Sequence, residues 1–195
     1  MQPIIETHPL APFLPKKAKL LMLGSFPPPK NKWKMDFYYP NYQNDMWRII
    51  GLLFFKDVSY FLDIANKNFY LDKIKAFLHE YHIAIFDTAY KVKRLKGNAS
   101  DKFLEVIEPS SLTTFLTAIP DCKAIMTTGE KATQTLMQHF PTDTKAPTIQ
   151  QSSHVHFINR DIKLYRMPST SRAYPLALQE KAQAYQKLFK EIGLL

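Results

Sequence analysis

Side chains that could take part in acid–base or hydrogen-bonding chemistry follow the short apolar runs of this sequence. Ser25 and Asp87 stand at the ends of two such runs, and Ser169–Ser171 follow a third run near the C-terminus. Asn44 lies between the first two runs, in a segment rich in tyrosine and lysine. Carboxylates and amides can position water, and hydroxyls with free N–H groups at a helix N-terminus can hold phosphate. The pattern therefore predicts a polar site assembled from several loops.

Each of these residues also has a plain structural interpretation. Ser25 suits a turn, Asp87 suits a loop or helix cap, and Asn44 suits the N-cap of a helix that begins near Asn44 or Asp45. Ser169–Ser171 are equally typical of a capping sequence before a C-terminal helix. The residues alone leave both interpretations open.

Metal and thiol chemistry find little support in the sequence. Cys122 is the single cysteine, which excludes a disulfide framework and a four-cysteine metal or iron–sulfur site. His154 and His156 alternate as a metal pair could, but no third ligand is evident and a solvated strand face explains them. We therefore expect no metal and no cofactor.

The apolar runs indicate the elements that must position the polar residues. Lys19–Leu23, His82–Asp87 and Lys123–Gly129 indicate buried strands, and Val155–Ile158 with Ile162–Arg166 indicates a hairpin. Helices are expected from near Asn44, over about Leu71–Tyr81, within about Pro109–Ile119, over Glu130–Phe140, and along an apolar stripe from Leu178 to Ile192.

This order of elements predicts the fold class. Strand, loop and helix alternate about four times, which is typical of an α/β fold: a three-layer α/β/α sandwich with a short, mainly parallel central sheet. Ligands of such sheets bind beyond the carboxyl ends of the strands, where the polar loops would lie. We expect residues 1–195 to form one domain, with residues 1–18 as an extended N-terminal arm.

The charge balance favours an anionic partner. The chain has 26 basic and 17 acidic residues, a formal net charge of +9. Nucleic acid, a phosphorylated ligand and an acidic membrane surface all fit this charge, as does a merely soluble basic surface. Lys91 and Lys93 belong to a basic run in an expected polar loop from Phe86 to Asp101, which could contact phosphates. Without a signal-like N-terminus or an apolar run long enough to span a bilayer, we expect a cytoplasmic protein.

Five motifs in order resemble the uracil-DNA glycosylase superfamily, and most closely its hypoxanthine-DNA glycosylase-like branch, near the mismatch-specific glycosylases. The matching segments are Gly24-Ser-Phe-Pro27, Tyr38-Tyr39 with Asn44-Asp-Met-Trp47, Phe86-Asp-Thr88, Thr128-Gly129 with Ala132, and Met167-Pro-Ser-Thr-Ser-Arg-Ala173. The resemblance extends from about residue 18 to the C-terminus.

The resemblance implies a monofunctional DNA glycosylase that removes a deaminated base, uracil or hypoxanthine, from DNA in base-excision repair. The flipped base would bind Gly24, Phe26, Tyr39 and Ser169, with Tyr39 stacking on it. Catalysis would use Asn44, Ser25 and Asp87. The DNA, duplex or single-stranded, would contact Ser169, Thr170, Ser171, Arg172, Lys91 and Lys93. The protein would act as a monomer without a cofactor.

Two departures from the family pattern keep other functions open. Ser25 stands where many members carry an acid or an asparagine, and Met167 stands where many carry a histidine or asparagine. A family member that binds nucleic acid with weak or no catalysis would show these two departures. A hydrolase of free nucleosides is a further alternative.

Overall fold

The computed structural model describes residues 4–96 and 101–195. Five α-helices within these ranges are α1 (Met46–Phe55), α2 (Leu71–Glu80), α3 (Leu112–Ala118), α4 (Glu130–Met137) and α5 (Leu178–Glu191). The strands of these ranges are β1 (Ile5–Thr7), β2 (Leu20–Gly24), β3 (Leu62–Asp63), β4 (Asn68–Phe69), β5 (Ile83–Asp87), β6 (Ala89–Arg94), β7 (Leu104–Pro109), β8 (Ala124–Thr128), β9 (Ser152–Phe157) and β10 (Arg160–Met167). Short 3-10 turns cover Lys30–Lys32 and Asp101–Phe103.

The central sheet has the strand order β5-β2-β8-β10-β9. Its first four strands are parallel, and β9 joins the edge antiparallel to β10. All residues of β2, β5 and β8 are buried, as the continuous apolar runs predicted. The parallel strands end at one edge, where Gly24 pairs with Asp87 and Thr128 pairs with Met167.

Helices cover both faces of this sheet. On one face, Phe54 of α1 meets Phe77 of α2 and Phe189 of α5, with ring centroids 4.9 and 5.1 Å apart. On the other face, Phe86 of β5 meets Phe115 of α3 at 5.0 Å. The predicted three-layer α/β/α sandwich with a mainly parallel sheet is confirmed. No helix of the described ranges is long and apolar enough to cross a membrane.

A second sheet lies where the sequence analysis expected a polar loop from Phe86 to Asp101. Strands β1, β6 and β7 form an antiparallel sheet, so the N-terminal arm pairs with Ala89–Arg94. Ala89 and Val92 are buried against Leu104 while their neighbours on β6 are lysine, arginine and tyrosine. These two buried residues are three positions apart because the register of β6 with β7 shifts between them, so the sequence lacks the strict alternation that would predict a strand. Residues 97–100 of the expected loop lie outside the described residues.

Candidate active site

A cavity of about 660 Å³ opens at the carboxyl ends of the parallel strands. Each of the five segments that carry the family resemblance contributes to its lining, which brings Ser25, Asn44, Asp87 and Ser169 together. Its lining also includes the other residues predicted for base binding and for the late loop: Gly24, Phe26, Tyr39, Thr170, Ser171 and Arg172. A volume of this size is typical of a small-molecule site and accommodates a nucleobase.

Gly24 brings the backbone of β2 against the carboxylate of Asp87. A Cβ atom at Gly24 would lie 2.4 Å from Asp87 Oδ1 and 3.3 Å from the Tyr39 hydroxyl oxygen. Both distances are shorter than ordinary contacts, so a side chain at this position would displace the carboxylate. Glycine therefore lets Oδ1 of Asp87 lie over the end of β2, at the floor of the cavity.

The second oxygen of Asp87 is bonded to a residue that sequence reasoning missed. His8, in the N-terminal arm, places Nε2 2.9 Å from Asp87 Oδ2, and both side chains are at least nine-tenths buried. His8 is a single histidine among the prolines of the arm and belongs to no recognisable motif. Only the pairing of β1 with β6, which the sequence analysis did not predict, brings it to the sheet.

Ser25 is also joined to a residue that was not singled out. Its hydroxyl donates to Asp101 Oδ1 over 2.7 Å. Burial raises the pKa of Asp101, the Ser25 hydrogen bond opposes this, and the negative charge of Asp87 adds to the rise. Because the hydrogen of Ser25 is given to Asp101, its oxygen presents lone pairs to the cavity.

Tyr39 is held in a strained backbone conformation beside these acids. Its φ of 53° lies in the left-handed region that non-glycine residues rarely adopt. The hydroxyl lies 3.0 Å from Thr128 Oγ1, and the ring meets Trp47 edge-on. Burial and the charge of Asp87 raise the pKa of Tyr39, so the hydroxyl stays neutral. Stacking of a base on this ring stays a prediction.

Asn44 combines a capping contact with an unengaged amide nitrogen. Its Oδ1 accepts the N–H of Met46, the first residue of α1, over 2.9 Å. Asp45 occupies the N-cap position but makes no side-chain capping bond. Within residues 4–96 and 101–195, Nδ2 of Asn44 makes no hydrogen bond. Because Oδ1 already accepts the N–H of Met46, the N–H donors of Nδ2 are the part of the side chain that is free to bind in the cavity.

Asp45 instead fixes the late loop against the start of α1. Its N–H donates to the carbonyl of Thr170 over 2.9 Å, and its carboxylate lies 2.9 Å from the ammonium of Lys181 and 3.3 Å from Arg172 Nε. Lys181 is fully buried and also donates to the carbonyl of Ser171. The ion pair therefore joins the loop that carries Ser169 to the helix that follows Asn44.

The expectation that Ser169–Ser171 lie at a helix N-terminus is wrong. Helix α5 begins only at Leu178, after Ala177 at its N-cap. The hydroxyl of Ser169 accepts the N–H of Ser171, and the hydroxyl of Ser171 accepts the N–H of Ala173. These hydroxyls stabilise turns of the loop, because the chain still has to cross the end of the sheet before α5.

Three residues that the family resemblance singled out do not line the cavity. Lys91 and Lys93 lie on β6, where Lys91 pairs with Glu108 over 2.6 Å. Met167 is 2% exposed and lies among core residues. The residues that line the cavity instead include Lys32 and Lys102, which the sequence analysis did not name as candidates.

Comparison with known proteins identifies the fold. A solved structure described as a "putative Uracil DNA glycosylase from Methanosarcina acetivorans" matches with a TM-score of 0.65, over 97% of this chain and 99% of that one. The two sequences are 18% identical, so the likeness establishes a shared fold. No family model and no curated protein matches the chain.

Proposed function

We propose that this protein is a monofunctional DNA glycosylase that hydrolyses the N-glycosidic bond of uracil or hypoxanthine. The observation that carries the proposal is the convergence, in one cavity at the carboxyl edge of the sheet, of the five segments that resemble the glycosylase motifs. The fold shared with the Methanosarcina acetivorans protein supports it.

The polarity of the cavity suits the edge of a deaminated base. Asn44 offers N–H donors, whereas Ser25 offers an acceptor. Uracil and hypoxanthine each present a ring N–H beside a carbonyl, which is the complementary pair. Cytosine and adenine present a bare ring nitrogen beside an amino group, so their donors and acceptors are reversed. A buried mismatch of this kind leaves polar groups unpaired and lowers affinity.

The chemistry requires a flipped base, a water molecule and a donor for the departing base. Tyr39 and Phe26 supply aromatic surface for the flipped base. Oδ1 of Asp87 accepts a hydrogen bond from the water and orients it toward the sugar carbon as positive charge develops there. The amide of Asn44 stabilises the negative charge that builds on the base.

A second candidate function is lesion-dependent DNA binding with little or no catalysis. Met167 favours it, because this buried side chain cannot reach a departing base from the position where many relatives carry a histidine or asparagine. Under this function, Asn44 would recognise the base without accelerating its loss.

The test is excision from matched duplexes that carry one uracil, one hypoxanthine or no lesion. We expect strand breaks only after alkali and only in a lesion duplex, and at least a tenfold slower reaction on the free nucleosides. Asn66→Ala is the control for Asn44→Ala, because Asn66 likewise makes a local turn contact and lies outside the cavity.

Each other outcome points to a different activity. Tight binding without breaks after alkali would support the silent function. Breaks without alkali, with covalent trapping of the enzyme by borohydride, would instead indicate an amine nucleophile such as Lys32 or Lys102.

A further inference from the structure

His8 lies in a buried aromatic enclosure behind the cavity. Its side chain is fully buried, and its ring centroid lies 4.2 Å from that of Phe86 and 5.3 Å from that of Phe26. Its backbone N–H donates to the carbonyl of Tyr90 over 2.8 Å, which continues the pairing of the arm with β6. His8 does not line the cavity, so it does not touch a bound base.

The hydrogen bonds of the ring assign its donor. Nδ1 lies 3.2 Å from both the backbone nitrogen and the carbonyl oxygen of Leu10, so it can accept from the first or donate to the second. A carboxylate oxygen only accepts, so in either case Nε2 carries a proton and donates it to Asp87 Oδ2.

Asp87 depends on this single donor. Among the described residues, His8 is the only side chain that hydrogen-bonds the carboxylate of Asp87, which is 7% exposed. A buried carboxylate without a donor loses the hydrogen bonds that water would give it, and its torsion is not fixed.

We propose that His8 is the positioning residue for Asp87. By holding Oδ2, it directs Oδ1 over Gly24 toward the cavity, where Oδ1 accepts a hydrogen bond from the attacking water. The proposal rests on the proposed glycosylase activity. The N-terminal arm would then contribute to turnover, because it supplies His8, which orients Asp87 without lining the cavity.

Two substitutions separate this role from simple packing. His8→Gln keeps an N–H donor at the distance of Nε2, whereas His8→Phe fills the aromatic enclosure and removes the donor. We expect His8→Phe to slow single-turnover excision roughly 100-fold with little change in affinity for the lesion duplex. His8→Gln should stay within about tenfold of the wild-type rate.

The chain contains a matched control. His156 also pairs with an aspartate, Asp161, over 2.9 Å, but both side chains are largely exposed and lie outside the cavity. His156→Phe should leave excision unchanged. In an Asp87→Asn background, His8→Phe should have no further effect, because the histidine acts only through the carboxylate.

The outcomes distinguish the two proposals. An active wild type whose His8→Phe variant is equally fast overturns the role of His8 alone. Equal slowing by His8→Phe and His8→Gln, at unchanged melting temperature, also overturns it. If His8→Phe does not fold, His8→Asn replaces it, since its amide is too short to reach Asp87 and should be as slow. A wild type that excises neither base overturns the proposed function, and the role of His8 with it.

Discussion

A methyl group on Gly24 would lie 2.4 Å from Oδ1 of Asp87, its register partner on the neighbouring parallel strand. Gly24→Ala should therefore displace the carboxylate and lower excision roughly 100-fold, because a shift of about 1 Å in a reacting group has this effect. Overpacking should also cost about 1–3 kcal/mol in the free energy of unfolding. Single-turnover kinetics and chemical denaturation would measure the two effects.

Gly193→Ala provides the comparison. Gly193 has a φ of 72° with nothing within 4 Å of its added Cβ, so alanine there strains the backbone far from the cavity. It should destabilise the protein while leaving excision intact. Equal rates in the two variants would show that the Gly24–Asp87 contact has no part in turnover.

The amide of Asn44 can be tested apart from its capping role. Asn44→Asp keeps an oxygen that accepts the N–H of Met46 but removes the amide donors. We expect it to fold with wild-type stability and to excise at least 100-fold more slowly, as for loss of a transition-state donor. Asn44→Ala should be equally slow and lose about 1 kcal/mol of stability with the cap. Wild-type excision by the Asp variant would place donation elsewhere.

The partners of Ser25 and Asp87 show which parts of the site can be predicted from the sequence and which cannot. The ends of β2, β5 and β8 could be predicted because these buried strands are continuous apolar runs, and the end of β10 followed from the hairpin pattern; together they place Ser25, Asp87 and Ser169 at one edge. His8 and Asp101 could not be predicted. Asp101 is 76 residues from Ser25, and His8 is 79 residues from Asp87. Both contacts depend on the β1-β6-β7 sheet, whose lysine-rich middle strand resembles a solvated loop.

Asp101 should make stability depend on pH. Its pKa is raised from the ordinary value of 3.8, mainly by burial, so folding favours the protonated form. This stabilisation is fully present below pH 3.8 and is lost as the pH rises through the higher folded-state value. The side chain introduced by Asp101→Asn does not titrate, so the variant does not lose stability in this way as the pH rises. Its amide oxygen can still accept the hydrogen bond from Ser25. The variant should therefore gain melting temperature relative to wild type between pH 3 and pH 7. A constant difference across that range would contradict the pKa shift.

The buried pair of Lys181 and Asp45 should be costly to break. Lys181→Met removes the ammonium group and leaves Asp45, whose side chain is 8% exposed, with Arg172 as its remaining cation. Breaking a buried pair in this way costs about 3–5 kcal/mol. Chemical denaturation would measure it, with Lys187→Met, at an exposed position of the same helix, as the control. A loss below about 1 kcal/mol would mean that the pair does not hold the late loop in place.

The predicted DNA contacts of Arg172, in the cavity, and of Lys91, on β6, should contribute differently to the salt dependence of DNA binding. Arg172 lines the cavity and its side chain is 54% exposed, whereas Lys91 pairs with Glu108 on the second sheet. Each lysine or arginine that displaces counterions from a phosphate adds about one to the log–log slope of affinity against salt. Arg172→Ala should lower the slope by about one, because its neighbour Asp45 is already paired with Lys181. Lys91→Ala should lower it less, because Glu108 offsets that charge.

Binding to a lesion duplex and to an undamaged duplex distinguishes two roles for Arg172. If its side chain enters the space that a flipped base leaves, Arg172→Ala should weaken binding to a lesion duplex more than binding to the undamaged one. If it contacts only phosphate, both affinities should fall by the same factor. Fluorescence anisotropy at several salt concentrations measures both quantities at once. A wild-type slope near zero would mean that the net charge of +9 takes no part in binding DNA.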